Sequence, residues 1–484
     1  MNRRLFSARL NLLLLCVPLL LLAGCGNKYG LNADKPVTIT VWHYYNGAQQ
    51  QAFDKLVSQF NATVGAKSGI IVDASSEGNV DKLTAKMAEA LDQKVGADPV
   101  PNIIAAYADT AYAIDARGMA TDISAYMTKE ELARYLPSYL QEGYFTEGGG
   151  LKLLPIAKST EVLMLNKTDW ESFAAATGAS EDSLRTWEGL FDVAHCYYQW
   201  TDSLTPDVPN DGRAFFGRDA MANYMIIGSM QLGHELFNVH DGQVTFDIDE
   251  DAMYRLWQCF YVPYINGWYT ESGRFRSDDV KTGDILALVG SISGATYFPS
   301  EVTRPDGSAY HIETSVYPVP NFKGTRPYAV QQGAGMLVVR SDEAHEYAST
   351  VFLKWFTQPE NNLAFSVGSG YLPITKKASA QDAVSAALDE AGVPSSATTR
   401  QVLMAGVATT QSYTLYTSAF FTQGSAARTI ADHALLDAAK ADRAAVEASM
   451  AKGLSHEAAV APFVTRAHFT EWLESFRNQL ASLL

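Results

Sequence analysis

Along residues 37–45, "VTITVWHYY", apolar and polar positions alternate and β-branched residues dominate. That is the mark of a strand with one buried face. In "GAQQQAFDKLVSQFN" (47–61) the period changes, and Phe53, Leu56, Val57 and Phe60 fall on one helical stripe. "SGIIVDASS" (68–76) reads as a second strand, "VDKLTAKMAEAL" (80–91) as a second helix and "PNIIAAYA" (101–108) as a third strand. Strand, helix, strand, helix, strand in succession predicts a parallel, right-handed α/β sheet. Ligands of such sheets sit beyond the carboxyl ends of the strands, which places "HYYN", "SSEGN" and "YADT" on one rim.

Beyond the glycines at 148–150, "LKLLPIAKSTEVLMLNK" (151–167) gives a strand, a polar knot at Lys158–Thr160 and another strand. "TWEGLFDVAHCYYQW" (186–200) is an amphipathic helix, and "NYMIIGSMQLGHELF" (223–237) a strongly apolar one. "DIDEDAMYRLWQCFYVPYI" (247–265) is a helix whose leading acids suit its N-terminal dipole. "GDILALVGSISG" (283–294) reads as a buried strand breaking into a turn of small residues, and "GAGMLVVR" (333–340) as another strand. A helix, "HEYASTVFLKWFTQP" (345–359), leads to a largely helical last hundred residues. In "VGSGYLPITKK" (367–377), Gly368 and Gly370 stop a helix and Pro373 keeps it from restarting. The same stiff turn would also hold out Tyr371.

The first 24 residues change the picture. Arg3, Arg4 and Arg9 precede an apolar run from Leu12 to Leu22 that is too short for a comfortable membrane span. The run ends in "LLAGC" (21–25), a lipobox-like site at which the Cys25 thiol would be acylated and become the new N-terminus. Residues 25–35 then read as a polar tether. Without the three arginines of the signal, 34 basic side chains face 53 acidic ones, a net charge of −19. A chain this acidic offers nucleic acid no electrostatic footprint. Cys196 and Cys259 remain for either a disulfide or two buried thiols, and neither has neighbours at zinc-ligand spacing.

Catalytic motifs fail one by one. The histidines of "HELFNVH" (234–240) are six apart rather than four, and so diverge on a helix. "DIDED" lacks the calcium-loop glycine, with Ala252 in its place, and the closing acid, with Gln258 in its place. "GSISG" (290–294) centres on Ile292 where a nucleophile elbow needs serine. A chain of this size without an assembled catalytic set reads as a binder, with no cofactor and no metal. A surface hydrolase using paired carboxylates is the alternative.

The order of "ITVWHYYNGAQQQAFDKLVSQFN", "LLPIAKSTEVLMLNKTDW", "TWEGLFDVA", "GAGMLVVRSDEAHEYASTVFLKWFTQPEN" and "SGYLPITKKA" resembles the carbohydrate-type extracellular solute-binding proteins of ABC importers. The resemblance implies a two-lobed α/β fold, like that of periplasmic binding proteins, that closes on a solute by a hinge motion. It implies crossings near Ile156, Ser293 and Arg340, an N-lobe of 36–156 plus 297–340, and a C-lobe of 157–296 plus 341–484. The expected setting is a monomer, lipid-anchored on the outer face of the cell membrane, serving ABC permease subunits. A sensor docking on a membrane kinase would share the fold. "GYLPITK", "ATTRQ" (397–401) and "GSAARTIADHAL" (424–435) are most similar to glycerol-3-phosphate-binding proteins. That likeness implies ligand contacts at Ser159, Ser291, Gly333, Tyr371 and Arg428, with hydroxyls, a close backbone and a guanidinium fork suited to a phosphate. Read as residues alone, Ser159 and Ser291 could be turn formers, Tyr371 a core aromatic, and Arg428 the partner of Asp432 one turn on. Two positions depart from the pattern: Val80 replaces an aromatic, and Ala108 an acid that binds glycerol, with Asp109 one residue away.

Overall fold

A computed structural model describes residues 29–145, 149–240, 243–417 and 420–484. The export signal and Cys25 lie outside the described residues. The expected tether is only partly a tether. From Tyr29 onward the chain packs on the body, with Tyr29 stacked on Tyr347 at 4.0 Å and Leu31 buried.

Strands β1 (Val37–His43), β2 (Ile70–Ser76) and β3 (Ile103–Ala106) form where alternation places them, and β1 pairs in parallel with both neighbours. The helices Gly47–Phe60 and Val80–Leu91 connect them, the second opened by the Asn79 side chain accepting from the Lys82 amide. The sheet is completed by β4 (Leu154–Pro155) and, between β3 and β4, an antiparallel strand from far down the chain, Gly335–Val338.

The second sheet contains β5 (Glu161–Asn166), β6 (Phe216–Arg218), β7 (Ala287–Ser291) and β8 (Thr314–Pro318), in the order β8-β5-β7-β6. Its central strands are buried on both faces, and their period of two feeds two cores. Leu163 and Leu165 join the large aromatic core with Trp257 and Phe260, whereas Val162 and Met164 join a smaller one with Leu403 and Val407.

The pairing redraws the expected lobe boundaries. Thr314–Pro318 runs antiparallel to Glu161–Asn166, so residues 297–330 pack with the second lobe, not the first. Residues 334–374, including the helices Glu343–Phe356 and Pro359–Ser369, pack in the first core, not the second. The crossings lie at 157–162, 329–334 and 371–374, where neighbouring residues change core. Arg340 donates its amide to Met119 well inside the first lobe, and Ser293 sits between Ile292 and Ala295, which both belong to the smaller second-lobe core. The physical reason is long-range pairing: Ser159 bridges to Gln332 and Lys158 to Leu372, tying the three crossings side by side.

Candidate functional site: a cleft at the crossings

The crossings floor a cleft between the lobes, and its two chambers share Ser291, Ser293 and Gln332. The larger, about 1130 Å³, is lined by Tyr44, Asn79 and Val80 of the first lobe and by Arg218, Asp219 and Phe275 of the second. The smaller, about 550 Å³, lies between Tyr107, Ala108 and Asp109 on one side and Asn223, Phe421 and Arg428 on the other. The rim expected at the ends of β1, β2 and β3 therefore faces the cleft. Phe420 of the second lobe stacks on Tyr112 of the first at 5.2 Å, near the end of the smaller chamber.

A chain of hydroxyls runs along the floor. Ser159 Oγ lies 2.7 Å from Ser291 Oγ, which lies 2.9 Å from Ser293 Oγ. The Tyr371 hydroxyl takes Ser293 as a partner and sits 3.4 Å from that of Tyr44, long for such a pair. Burial raises the pKa of Tyr44, Tyr45, Tyr107 and Tyr371, so these phenols stay neutral and free to donate. Behind them His43 is held neutral, with burial lowering its pKa to about 4 against an opposing pull from Glu77.

In the 367–377 segment the helix-stop reading holds, whereas Tyr371 is not held out but packs in the first core. The helix stops at Ser369, and Gly370 takes the left-handed conformation (φ +77°). Gly333 is also left-handed (φ +97°), and a Cβ there would stand 3.0 Å from the Ala157 carbonyl. Its own carbonyl accepts from Lys158 Nζ at 2.9 Å. Lys158, unassigned by sequence, is almost fully buried and ion-paired with Glu142, which also accepts from Gln331 Nε2 at 2.8 Å. This pair fastens two crossings to the first lobe.

The second wall is ionic. Arg218 NH2 donates to both oxygens of Glu161 at 3.0 Å, and both residues are buried. Asn223 Nδ2 donates to Glu161 Oε1 at 2.8 Å, and Arg428 NH2 donates to Asn223 Oδ1 at 2.6 Å. Arg428 does not pair with Asp432, whose carboxylate instead accepts from the Ala222 amide at 2.7 Å. Among the described residues no carboxylate forms an ion pair with Arg428. Its charge reaches Tyr107 across the smaller chamber, offsetting part of the upward shift there.

Of the expected contacts, Ser291 lines both chambers and Arg428 and Asp109 stand on opposite walls of the smaller one, whereas Ser159, Gly333 and Tyr371 are buried at the crossings behind the cleft surface. Sequence reasoning missed Tyr44 and Tyr107 as individuals, although their segments were placed on the rim. It also missed Glu161, Arg218 and Asn223. The available signal was a lone carboxylate heading the apolar run "EVLMLN". Cys196 and Cys259 are both free, and burial pushes the Cys259 thiol up to about 12.

The model of the family described as bacterial extracellular solute-binding protein matches residues 55–390. No curated protein matches the chain. Solved structures share the fold. The cyclic alpha-maltosyl-1,6-maltose binding protein from Arthrobacter globiformis superposes with a TM-score of 0.63 and 17% identity, over 91% of this chain and 99% of that one. UgpB from Mycobacterium tuberculosis, in complex with glycerophosphocholine, gives 0.65 and 17%, over 92% and 99%. The GacH receptor of Streptomyces glaucescens, solved unliganded and with acarbose, gives 0.62 and 13%, over 92% and 98%.

Proposed function

This chain belongs to the bacterial extracellular solute-binding proteins, and on that premise we propose that it captures a sugar or polyol phosphate, glycerol-3-phosphate-like, by closing its lobes around it. The observation that carries this reading is Arg428: a guanidinium on the wall of an interlobe cleft, hydrogen-bonded to a neutral amide and paired with no carboxylate among the described residues. An anionic group completes it. Ser291, Ser293 and the neutral phenols of Tyr44 and Tyr107 supply donors beside it, and Asp109 on the opposite wall can accept from a polyol hydroxyl. In this reading Ser159, Gly333 and Tyr371 shape the floor, and the protein does no chemistry and holds no cofactor. It hands the solute to ABC permease subunits as a monomer anchored through acylated Cys25 on the extracytoplasmic face. Two or more acyl chains suffice for stable anchoring.

The complex of the M. tuberculosis UgpB with glycerophosphocholine supports a phosphodiester as one form of the solute, and the maltosyl-maltose and acarbose receptors support a saccharide. The family match does not favour the hydrolase alternative, and the buried cleft carboxylate Glu161 is paired with Arg218. A thermal-shift panel of glycerol-3-phosphate, glycerophosphocholine and short oligosaccharides tests the reading. A ligand at a hundred times its Kd should stabilise by about 2.7 kcal/mol through mass action. No response to either phosphate compound would refute the anion assignment, and product formation would revive the hydrolase.

A further inference from the structure

Asn223 stands between a spent charge and an available one. It is 1% exposed, at the start of the helix Met221–Gln231 that follows Ala220, an alanine held at φ +49°. Glu161 can only accept, and Arg218 already fills one side of it. The Asn223 amide must therefore turn its NH2 toward Glu161 and its carbonyl toward Arg428, as the 2.8 Å and 2.6 Å contacts record. The result is directional. Glu161 is neutralised by Arg218 and never reaches Arg428, while Arg428 is steered by a dipole that leaves its formal charge intact. A carboxylate at 223 would reverse this. It would either pair with Arg428 or repel Glu161, its immediate neighbour.

Resting on the anion reading of Arg428, we propose that Asn223 is the positioning residue that sets the cleft's selectivity for anionic solutes, by aiming Arg428 without discharging it. The test uses glycerol-3-phosphate and glycerophosphocholine, titrated calorimetrically into wild type, N223D, Asn223→Ala and Arg428→Gln. The diester keeps one negative charge across the working pH range, so its pH dependence reports on the protein. Losing a hydrogen bond to a charged group should weaken phosphate binding at least about tenfold in Asn223→Ala. N223D should lose more at pH 8 and recover part of the loss at pH 4, close to the ordinary aspartate pKa of about 3.9, as the introduced carboxylate takes up a proton. Wild type should show no such recovery.

Asn223→Ala adds no charge and keeps the test available if N223D does not fold. Equal affinity in Asn223→Ala and wild type, alongside a loss in Arg428→Gln, would overturn the role of Asn223 while leaving the anion site standing. A loss in N223D that is identical at both pH values would also overturn it, because a merely structural role gives that result. Undiminished binding by Arg428→Gln, or no phosphate binding by wild type, would overturn both.

Discussion

Lys158 and Arg428 are both cations at the cleft, and the fold treats them oppositely. Lys158 is buried under the crossings, and its charge is consumed by Glu142 and the Gly333 carbonyl. Arg428 stands on the second wall with a neutral amide for company. A buried charge left unpaired costs about 3–5 kcal/mol, so Lys158 belongs to architecture. A charge left exposed and unpaired costs little in water and becomes valuable when a closing lobe excludes solvent. On the proposed reading, the contrast separates what ties the crossings together from what a solute would meet.

The sharpest break of this comparison is Lys158→Ala. It leaves Glu142 buried without its cation and should cost about 3–5 kcal/mol in chemical denaturation, whereas replacing both partners by apolar residues should recover much of that. A loss below about 1 kcal/mol would erase the distinction, since exposed pairs are worth that little.

Next comes His43, behind the first wall. Its folded pKa, about 4, lies below the ordinary 6.5, so the unfolded chain binds the proton more readily between those values. Its contribution is complete above pH 6.5 and is lost as pH falls toward 4, by up to about 3 kcal/mol. His43→Gln should flatten the acid limb of the stability profile relative to wild type. Superimposable limbs would contradict the burial of a neutral imidazole.

Gly333→Ala sharpens the account of the floor. Its backbone sits at φ +97° and the new Cβ would press on the Ala157 carbonyl, so a loss of about 1–3 kcal/mol is expected in thermal unfolding. Unchanged stability would mean that the crossings yield freely. The smallest effect belongs to Tyr371→Phe, which removes one hydroxyl from the floor. It should cost about 0.5–1.5 kcal/mol in thermal unfolding, because the buried hydroxyl loses its Ser293 partner, and an unchanged melting temperature would contradict that bond.

The same contrast marks how far the sequence could be read. The first lobe's strands and helices were legible because their apolar periods are local and switch cleanly between two and 3.6. The strand Thr314–Pro318 was not assigned to its sheet, because five residues of "TSVYP" show nothing of the partner that fixes them, Glu161–Asn166. Lys158 showed only as part of a polar knot, since its partner Glu142 sits on another element. Ser159, Ser291, Gly333, Tyr371 and Arg428 came from likeness to a family rather than from any spacing. The Glu161–Arg218–Asn223–Arg428 relay draws on β5, β6 and two separate helices, and only the fold assembles it.

The most direct test is calorimetric titration of wild type and Arg428→Ala with the phosphate compound that most raises the melting temperature. The account requires the substitution to cost about 2–5 kcal/mol of affinity, with the unliganded protein's stability unchanged. Affinity within a factor of about two, well under the 1.4 kcal/mol that a tenfold change represents, would show that the anion is held elsewhere or that the solute carries none.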